Sequence, residues 1–254
     1  MRRTALLVAL LSLVVAAPAA AAPGSLVRLG RHLFGQSCVA CHGMDGVAKP
    51  RTIGAGRGRA QRQQRVVAPS LVGVGALAAD FYLRTGYMPL AHLGLQPRRS
   101  RLLFTDHQVR ALVAYVASLG PGPKIPTPRP GRGNLSEGMH LFTDHCAGCH
   151  QIAAEGGYVT GAVAPALEEA TSTQIAEAVR IGPYVMPRFS KKAITDRQLD
   201  SIVAYVQNAK HPDDRGGWAL GHIGPVPEGL VTWFIAAAAL IATCMAIGKR
   251  LKHE

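Results

Sequence analysis

Two pentapeptides carry most of the chemistry this chain can do: Cys38-Val39-Ala40-Cys41-His42 and Cys146-Ala147-Gly148-Cys149-His150. Two cysteines separated by two residues, with a histidine directly after, form the attachment pattern for c-type haem. The two sulfurs form thioethers with the haem vinyl groups, and the adjacent imidazole becomes an axial iron ligand. A shuffled chain with 5 Cys and 10 His in 254 residues would hold such a motif only ~0.004 times. The alternatives for each motif are a zinc site or a dithiol redox pair. Zinc gives no reason for the His to follow its second Cys directly. The expected cofactors are therefore two covalently bound haem c groups.

Haem iron needs a sixth ligand or an open position, and a Met thioether paired with His suits electron transfer and raises the potential. Downstream of each motif lies one Met-Pro, in Tyr87-Met88-Pro89 and Val185-Met186-Pro187. Arg84-Thr85-Gly86 precedes the first and Arg180-Ile181-Gly182 the second. The other reading of a Met is core packing. Met1 starts the chain, Met245 lies in an apolar span, Met44 sits two residues past a haem His, and Met139 precedes its motif. The candidate iron ligands are thus His42 with Met88 and His150 with Met186. His92 is the best rival for the first iron.

One unit occurs twice, in the same order. His32-Leu33-Phe34 matches His140-Leu141-Phe142, and Val67-Ala68-Pro69 matches Val163-Ala164-Pro165. Thr105-Asp106-His107-Gln108 matches Thr195-Asp196-Arg197-Gln198, and Val113-Ala114-Tyr115-Val116 matches Val203-Ala204-Tyr205-Val206. Such a long repeat means two copies of one domain. Leu26, Leu29, Leu33 and Phe34 make a helical stripe leading into the first motif. Thr105 with Gln108, and Thr195 with Gln198, are capping-box starts. The helix after the first buries Val109, Leu112, Val113 and Val116, and its twin buries Leu199, Ile202, Val203 and Val206. Gly- and Pro-rich stretches between motif and Met suit loops around a cofactor. Pro69 and Pro165 either offer a carbonyl to the His Nδ1–H or are simple turn prolines. Residues 121–132 carry five Pro and predict a short, stiff, extended linker.

Residues 229–248 carry no charge, and as a helix they span about 30 Å, enough to cross a bilayer. Lys249, Arg250 and Lys252 follow, which orients the C-terminus towards the cytoplasm. Arg2-Arg3, an apolar run and an Ala-rich stretch form a secretory signal over residues 1–23, or else an uncleaved N-terminal anchor. Either version places the haem motifs on the extracytoplasmic side of the cytoplasmic membrane, with one C-terminal crossing and membrane lipid as a partner. No disulfide is expected, because haem takes all four Cys of the soluble part, and Cys244 in the span is a small apolar residue.

The formal net charge of +13 is uneven. Residues 24–120 hold 13 Lys/Arg against 3 Asp/Glu, whereas residues 133–210 hold 6 against 8. Lys49, Arg51, Arg57, Arg59, Arg62 and Arg65 fall together without an acid between them. This run is either a solvated loop or a surface that steers an acidic redox partner or anionic lipid. Nucleic acid is not an expected partner outside the membrane.

Gly216-Gly217-Trp218, then Gly221-His222-Ile223-Gly224-Pro225-Val226-Pro227-Glu228-Gly229 entering the span, followed by Gly248-Lys249-Arg250, resembles the end of the di-haem cytochrome c subunit of bacterial quinol–cytochrome c reductase. Thr85-Gly86-Tyr87-Met88-Pro89 and Met186-Pro187-Arg188-Phe189-Ser190 are similar to that subunit too. The resemblance covers nearly the whole chain after the signal; the basic 49–65 segment is longer than the family leads one to expect. It implies an all-α architecture of two tandem class I-like cytochrome c domains plus a C-terminal transmembrane helix. The expected domains are 24–120 and 133–210, with linkers at 121–132 and 211–228 and a cytoplasmic tail at 249–254. It also implies haem sites at Cys38, Cys41, His42 and Met88, and at Cys146, Cys149, His150 and Met186. The implied partners are a cytochrome b subunit, a Rieske iron–sulfur subunit and a haem–copper cytochrome oxidase. In that role the chain carries electrons from the Rieske protein to the oxidase, as part of a translocase and with no catalytic site of its own. The rival role is the membrane-bound cytochrome c subunit of another dehydrogenase or oxidase.

Overall fold

A computed structural model describes residues 23–48, 51–53, 64–66, 68–90, 96–210 and 225–251. The N-terminal signal or anchor, His92, most of the basic 49–65 run and the Gly216–Gly224 motif lie outside the described residues. The chain divides into two compact units. The first comprises residues up to Arg84 together with Leu102–Pro123, and the second comprises Thr85–Arg101 together with residues from Lys124 onwards. The segment carrying Met88 therefore groups with the second unit, although in sequence it falls between helices of the first.

The first unit runs α1 (Pro23–Ser37), α2 (Val39–His42), β1 (Arg51–Ile53), β2 (Gln64–Val66), α3 (Gly75–Arg84) and α4 (Asp106–Ser118). Helix α4 packs on both α1 and α3. Leu33, Phe34, Ala111, Leu112, Tyr115 and Val116 form its core, with Leu26 and Leu29 packed against it. The second unit continues with α5 (Leu135–His145), α6 (Ala147–His150), β3 (Gly157–Val159), β4 (Ala162–Ala164), α7 (Ser172–Ile181) and α8 (Asp196–Lys210). Helices α5 and α7 pack on α8 around Phe142, Ile175, Val179, Leu199, Ile202, Val203 and Val206. The helices end where local chemistry dictates. Thr105 and Gln108 exchange side-chain and backbone bonds as a capping box at α4, Thr195 and Gln198 do the same at α8, and α7 carries a further box in Thr171 and Gln174. Each box satisfies backbone N–H groups that the first helical turn cannot.

The mostly helical expectation holds, with one addition. Two short antiparallel hairpins lie between haem motif and Met. Arg51, Thr52 and Ile53 pair with Val66, Arg65 and Gln64, and Gly157, Tyr158 and Val159 pair with Ala164, Val163 and Ala162. β-branched Thr52, Ile53, Val66, Val159 and Val163 favour the pleat. Arg51 and Arg65 of the basic run therefore lie in paired strands. The Pro-rich stretch carries no helix or strand apart from one 3-10 turn at Pro130–Arg132. Its ends are tied down: Leu77 N–H donates to the Pro123 carbonyl at 3.2 Å in the first unit, and Arg129 N–H donates to Asp200 at 2.7 Å in the second.

The repeat extends to a contact that hydrophobic periodicity does not reveal. A Cβ on Gly30 would lie 1.9 Å from the Ala111 carbonyl oxygen, and one on Gly138 would lie 2.0 Å from the Ser201 carbonyl oxygen. The first and last helices of each copy thus cross backbone against backbone. Beside each crossing an aromatic pair closes the gap, Phe34 on Tyr115 at 5.1 Å and Phe142 on Tyr205 at 5.3 Å. Helix propensity alone predicts that Gly138→Ala stabilises α5 by about 1 kcal/mol. The crossing predicts the reverse, because a backbone carbonyl must move, at a cost of up to about 3 kcal/mol. The expected net result is a destabilisation of roughly 2 kcal/mol in urea unfolding followed through the haem chromophore. A stabilised variant would contradict the close crossing.

The last helix, α9 (Pro225–Leu251), stands apart in composition. Gly229–Arg250 is long and apolar enough to cross a membrane, and it buries none of that surface within the chain. Trp233, Phe234, Leu240 and Ile241 are all exposed, the reverse of what a soluble helix does with such residues.

Candidate haem sites

In each copy a single helical turn gathers the motif. Cys146 caps α5 and opens α6, with Cys149 N–H and His150 N–H both donating to the Cys146 carbonyl at 3.1 and 2.9 Å. The first copy repeats this: Cys41 and His42 N–H groups donate to the Cys38 carbonyl at 3.1 and 3.0 Å. Residues at i, i+3 and i+4 share one helix face, so both thiols and the imidazole address the same side. Cys38, Cys41 and His42 come together in the first unit, and Cys146, Cys149 and His150 in the second.

The imidazoles are held from behind. His42 Nδ1 lies 3.2 Å from the Pro69 carbonyl oxygen, and His150 Nδ1 lies 3.0 Å from that of Pro165. A carbonyl can only accept, so Nδ1 carries the proton and Nε2 presents its lone pair. Of the two roles open to these prolines from sequence, the carbonyl acceptor is the one present. Burial holds His150 below the ordinary imidazole value, partly offset by the Pro165 bond, which keeps the ring neutral and able to ligate a metal. Burial, then the neighbouring cysteine, pushes the Cys38 and Cys146 thiols up to about 11. A C-x-x-C redox pair needs a lowered pKa on its attacking thiol, so these environments suit thioethers better than dithiol exchange. Among the described residues no three or more His, Cys, Asp or Glu are gathered as a metal site. Two thiols and one fixed imidazole in each copy, joined in the second by Met186 packed on the cluster that holds Cys146, are donors that haem c requires, and the residues fit the group.

The Met186 loop is built by α7. Gly182 ends that helix in the left-handed region at φ 64°, its N–H bonding the Ala178 carbonyl. A Cβ there would meet Arg188 N at 2.6 Å and the Met186 carbonyl oxygen at 2.8 Å, so glycine is required for the chain to fold back. Met186 then packs against the same core cluster that contains Cys146. The Arg180 guanidinium fastens the loop. It donates to the carbonyls of Phe189, Ser190 and Ile194 at 3.3, 3.2 and 2.7 Å and to Asp196 at 2.9 Å. Lys191 and Arg180 together hold the Asp196 carboxyl below its usual range. In the first copy the matching Arg84 pairs with Asp106 at 2.8 Å and Asp80 at 2.9 Å. Met88 is half-buried in the segment that groups with the second unit. Its loop closes on itself where Ser100 Oγ donates to the Gly86 carbonyl at 2.6 Å.

Sequence reasoning missed Arg84 and Arg180 as fasteners, although it noted their recurrence before each Met. It also missed the tyrosines of the repeated Val-Ala-Tyr-Val. Tyr115 donates to the Met44 carbonyl at 2.5 Å and Tyr205 to the Ile152 carbonyl at 2.7 Å. Each acceptor lies two residues past a motif His, so each tyrosine ties the last helix to the haem turn.

Family comparisons match this geometry. Residues 27–120 match the cytochrome c family, and residues 133–206 match the family described as cytochrome C oxidase, cbb3-type, subunit III. The cytochrome bc1 complex cytochrome c subunit of Corynebacterium diphtheriae is 32% identical over 246 residues, covering 89% of this chain and 82% of that protein. The chain belongs to the family of cytochrome bc1 complex cytochrome c subunits. The subunits of Mycobacterium bovis and Mycobacterium leprae are 36% and 33% identical over 235 residues, covering 79% and 76% of those proteins. Among solved structures, a chain of the Kuenenia stuttgartiensis reducing HAO-like protein complex aligns with a TM-score of 0.35 at 14% identity, over 71% of this chain and 95% of that one, too loosely to define a shared fold. As a cytochrome c of this family, the chain carries covalently bound haem c in an electron-transfer role and is anchored to the membrane.

Proposed function

We propose that this chain is the di-haem, membrane-anchored relay of a cytochrome bc complex, taking electrons from a Rieske iron–sulfur protein and delivering them to a haem–copper oxidase. The carrying observation is the doubled site: two motif turns, each with its histidine held by a proline carbonyl. Haem supplies reversible one-electron redox chemistry when bound. Cys38 with Cys41 and Cys146 with Cys149 would tether one haem each, His42 and His150 would present an Nε2 lone pair to its iron, and Met88 and Met186 would offer thioethers. The haem domains lie on the extracytoplasmic side, since Lys249 and Arg250 end α9 and positive charge stays in the cytoplasm. A cytochrome b, the Rieske protein and the oxidase are the partners.

An affinity tag on the full chain, extracted in mild detergent, tests the assignment, and retention of those three partners is expected. Recovery of a different dehydrogenase or oxidase core would move the chain to the rival role. The tether gives a second readout. Within one assembly transfer runs at high effective concentration. A chain lacking residues 229–254 is expected to lower quinol-driven oxidase turnover in membranes by about tenfold or more. What turnover remains should fall further with salt, because encounter then relies on the basic first domain. Turnover at wild-type level and indifferent to salt would assign α9 the role of a passive anchor.

A further inference from the structure

The two copies differ in one respect that the electron-carrier role does not explain. Eight residues separate Met186 from Thr195, whereas sixteen separate Met88 from Thr105. The additional length in the first copy contains Gln96 and Arg99, and both are bonded within the second unit. Gln96 Nε2 donates to the Val163 carbonyl at 2.7 Å, and Val163 N–H donates back to Gln96 Oε1 at 2.8 Å. The side-chain amide thus satisfies both backbone groups of one residue of β4, as a paired strand would. Two residues further along the same strand direction, Pro165 accepts the His150 Nδ1 bond. Arg99 Nη2 donates to Gln174 Oε1 at 2.9 Å, the side chain that completes the α7 capping box. Its Nε lies 3.9 Å from Glu169. Ser100, next to Arg99, donates its Oγ to the carbonyl of Gly86, two residues before Met88, at 2.6 Å. All of these contacts lie inside the second unit.

We infer that Gln96 and Arg99 are positioning residues for the Met88 thioether, holding its loop through β4 and α7 of the second unit. The inference rests on the reading of Met88 as an iron ligand. Arg180 fastens the short Met186 loop from within its own copy. The longer Met88 loop takes its anchors from β4 and α7, the elements that flank His150 and Met186. β4 thus carries the Val163 backbone groups that hold Gln96 and leads directly into Pro165, the acceptor for His150 Nδ1.

The test compares Gln96→Ala, Gln96→Glu, the double variant Gln96→Ala with Arg99→Ala, and Met88→Ala. All are made in the full chain, within the detergent-solubilised complex. The readouts are optical redox titration of each haem and the far-red charge-transfer absorption of ferric iron bound to a thioether. The double variant is expected to weaken that absorption for one haem. At fixed potential its ferrous-to-ferric ratio should fall about tenfold, about 59 mV for a one-electron couple. The haem affected should be the one altered in Met88→Ala. Gln96→Glu keeps the acceptor for Val163 N–H and loses the donor, so an intermediate shift is expected. If Met88→Ala removes one haem's absorption while the double variant leaves both haems at wild-type potential, the inference fails and the ligand assignment stands. A shift confined to the other haem would also overturn it, making the loop a brace for the second copy. If Met88→Ala itself changes neither haem, the ligand assignment fails and takes the inference with it.

Discussion

A chain carrying Cys146→Ala together with Cys149→Ala is expected to keep one covalent haem instead of two after denaturation and acid–acetone extraction. Thioether bonds survive such treatment and axial bonds to iron do not. Each motif turn is closed by its own backbone bonds, those of α6 onto the Cys146 carbonyl and those of α2 onto the Cys38 carbonyl. The loss should therefore stay local to one copy. Stability should fall as well. Cys146 is buried within the cluster of Phe142, Ile175, Val203 and Val206, and a domain of this size relies on its haem for much of its apolar volume. Truncating a buried side chain of this kind costs about 1–3 kcal/mol even before the cofactor is counted. Haem staining of a denaturing gel and the pyridine haemochrome spectrum read the count directly. Two haems retained in this variant would refute covalent attachment at the second motif.

Replacing Met186 with Ala is expected to lower the potential of one haem by roughly 100 mV or more, within the ~0.8 V that axial ligands span. Thioether ligation favours ferrous iron, so its loss favours the ferric form. The open iron face should then bind carbon monoxide in the reduced state, which the wild-type protein should resist. Met186 also packs against the second-unit core, so the alanine variant loses packing together with the ligand. Met186→Leu separates the two effects, since it retains apolar volume and has no sulfur. An equal fall in potential in both variants is the expected result. If Met186→Leu titrates like wild type, the sulfur is not on the iron and Met186 is a packing residue.

Much of the candidate site was legible because it is local. A C-x-x-C-H pentapeptide closes in one helical turn whatever surrounds it, and Thr105 with Gln108 caps its helix through bonds spanning three residues. The apolar stripe of α8 announces Leu199, Ile202, Val203 and Val206 through the helical period alone, and all four are buried. An uncharged run of twenty residues needs no partner in the chain to be read as a membrane span. The doubling of the unit was equally plain, since the matched words recur in order.

The rest depends on pairs far apart in sequence, whose meeting no local pattern encodes. Gly30 and Gly138 look like weak points in helices by propensity, and only the crossing partner Ala111 or Ser201 shows why no side chain fits there. Arg180 looks like one more surface cation until the carbonyls of Phe189, Ser190 and Ile194 surround it. A proline carbonyl and a turn proline are indistinguishable until the His42 and His150 rings lie against them. The segment 85–101 belongs to the first copy in sequence and to its family match, yet its contacts group with the second unit. Gln96 and Val163 are 67 residues apart. The two C-x-x-C-H motifs, the words recurring in order and the uncharged 229–248 run marked this chain as a doubled, membrane-tethered cytochrome c. Which backbone groups a side-chain amide will satisfy is decided only when folding leaves a strand edge such as that of Val163 in need of partners.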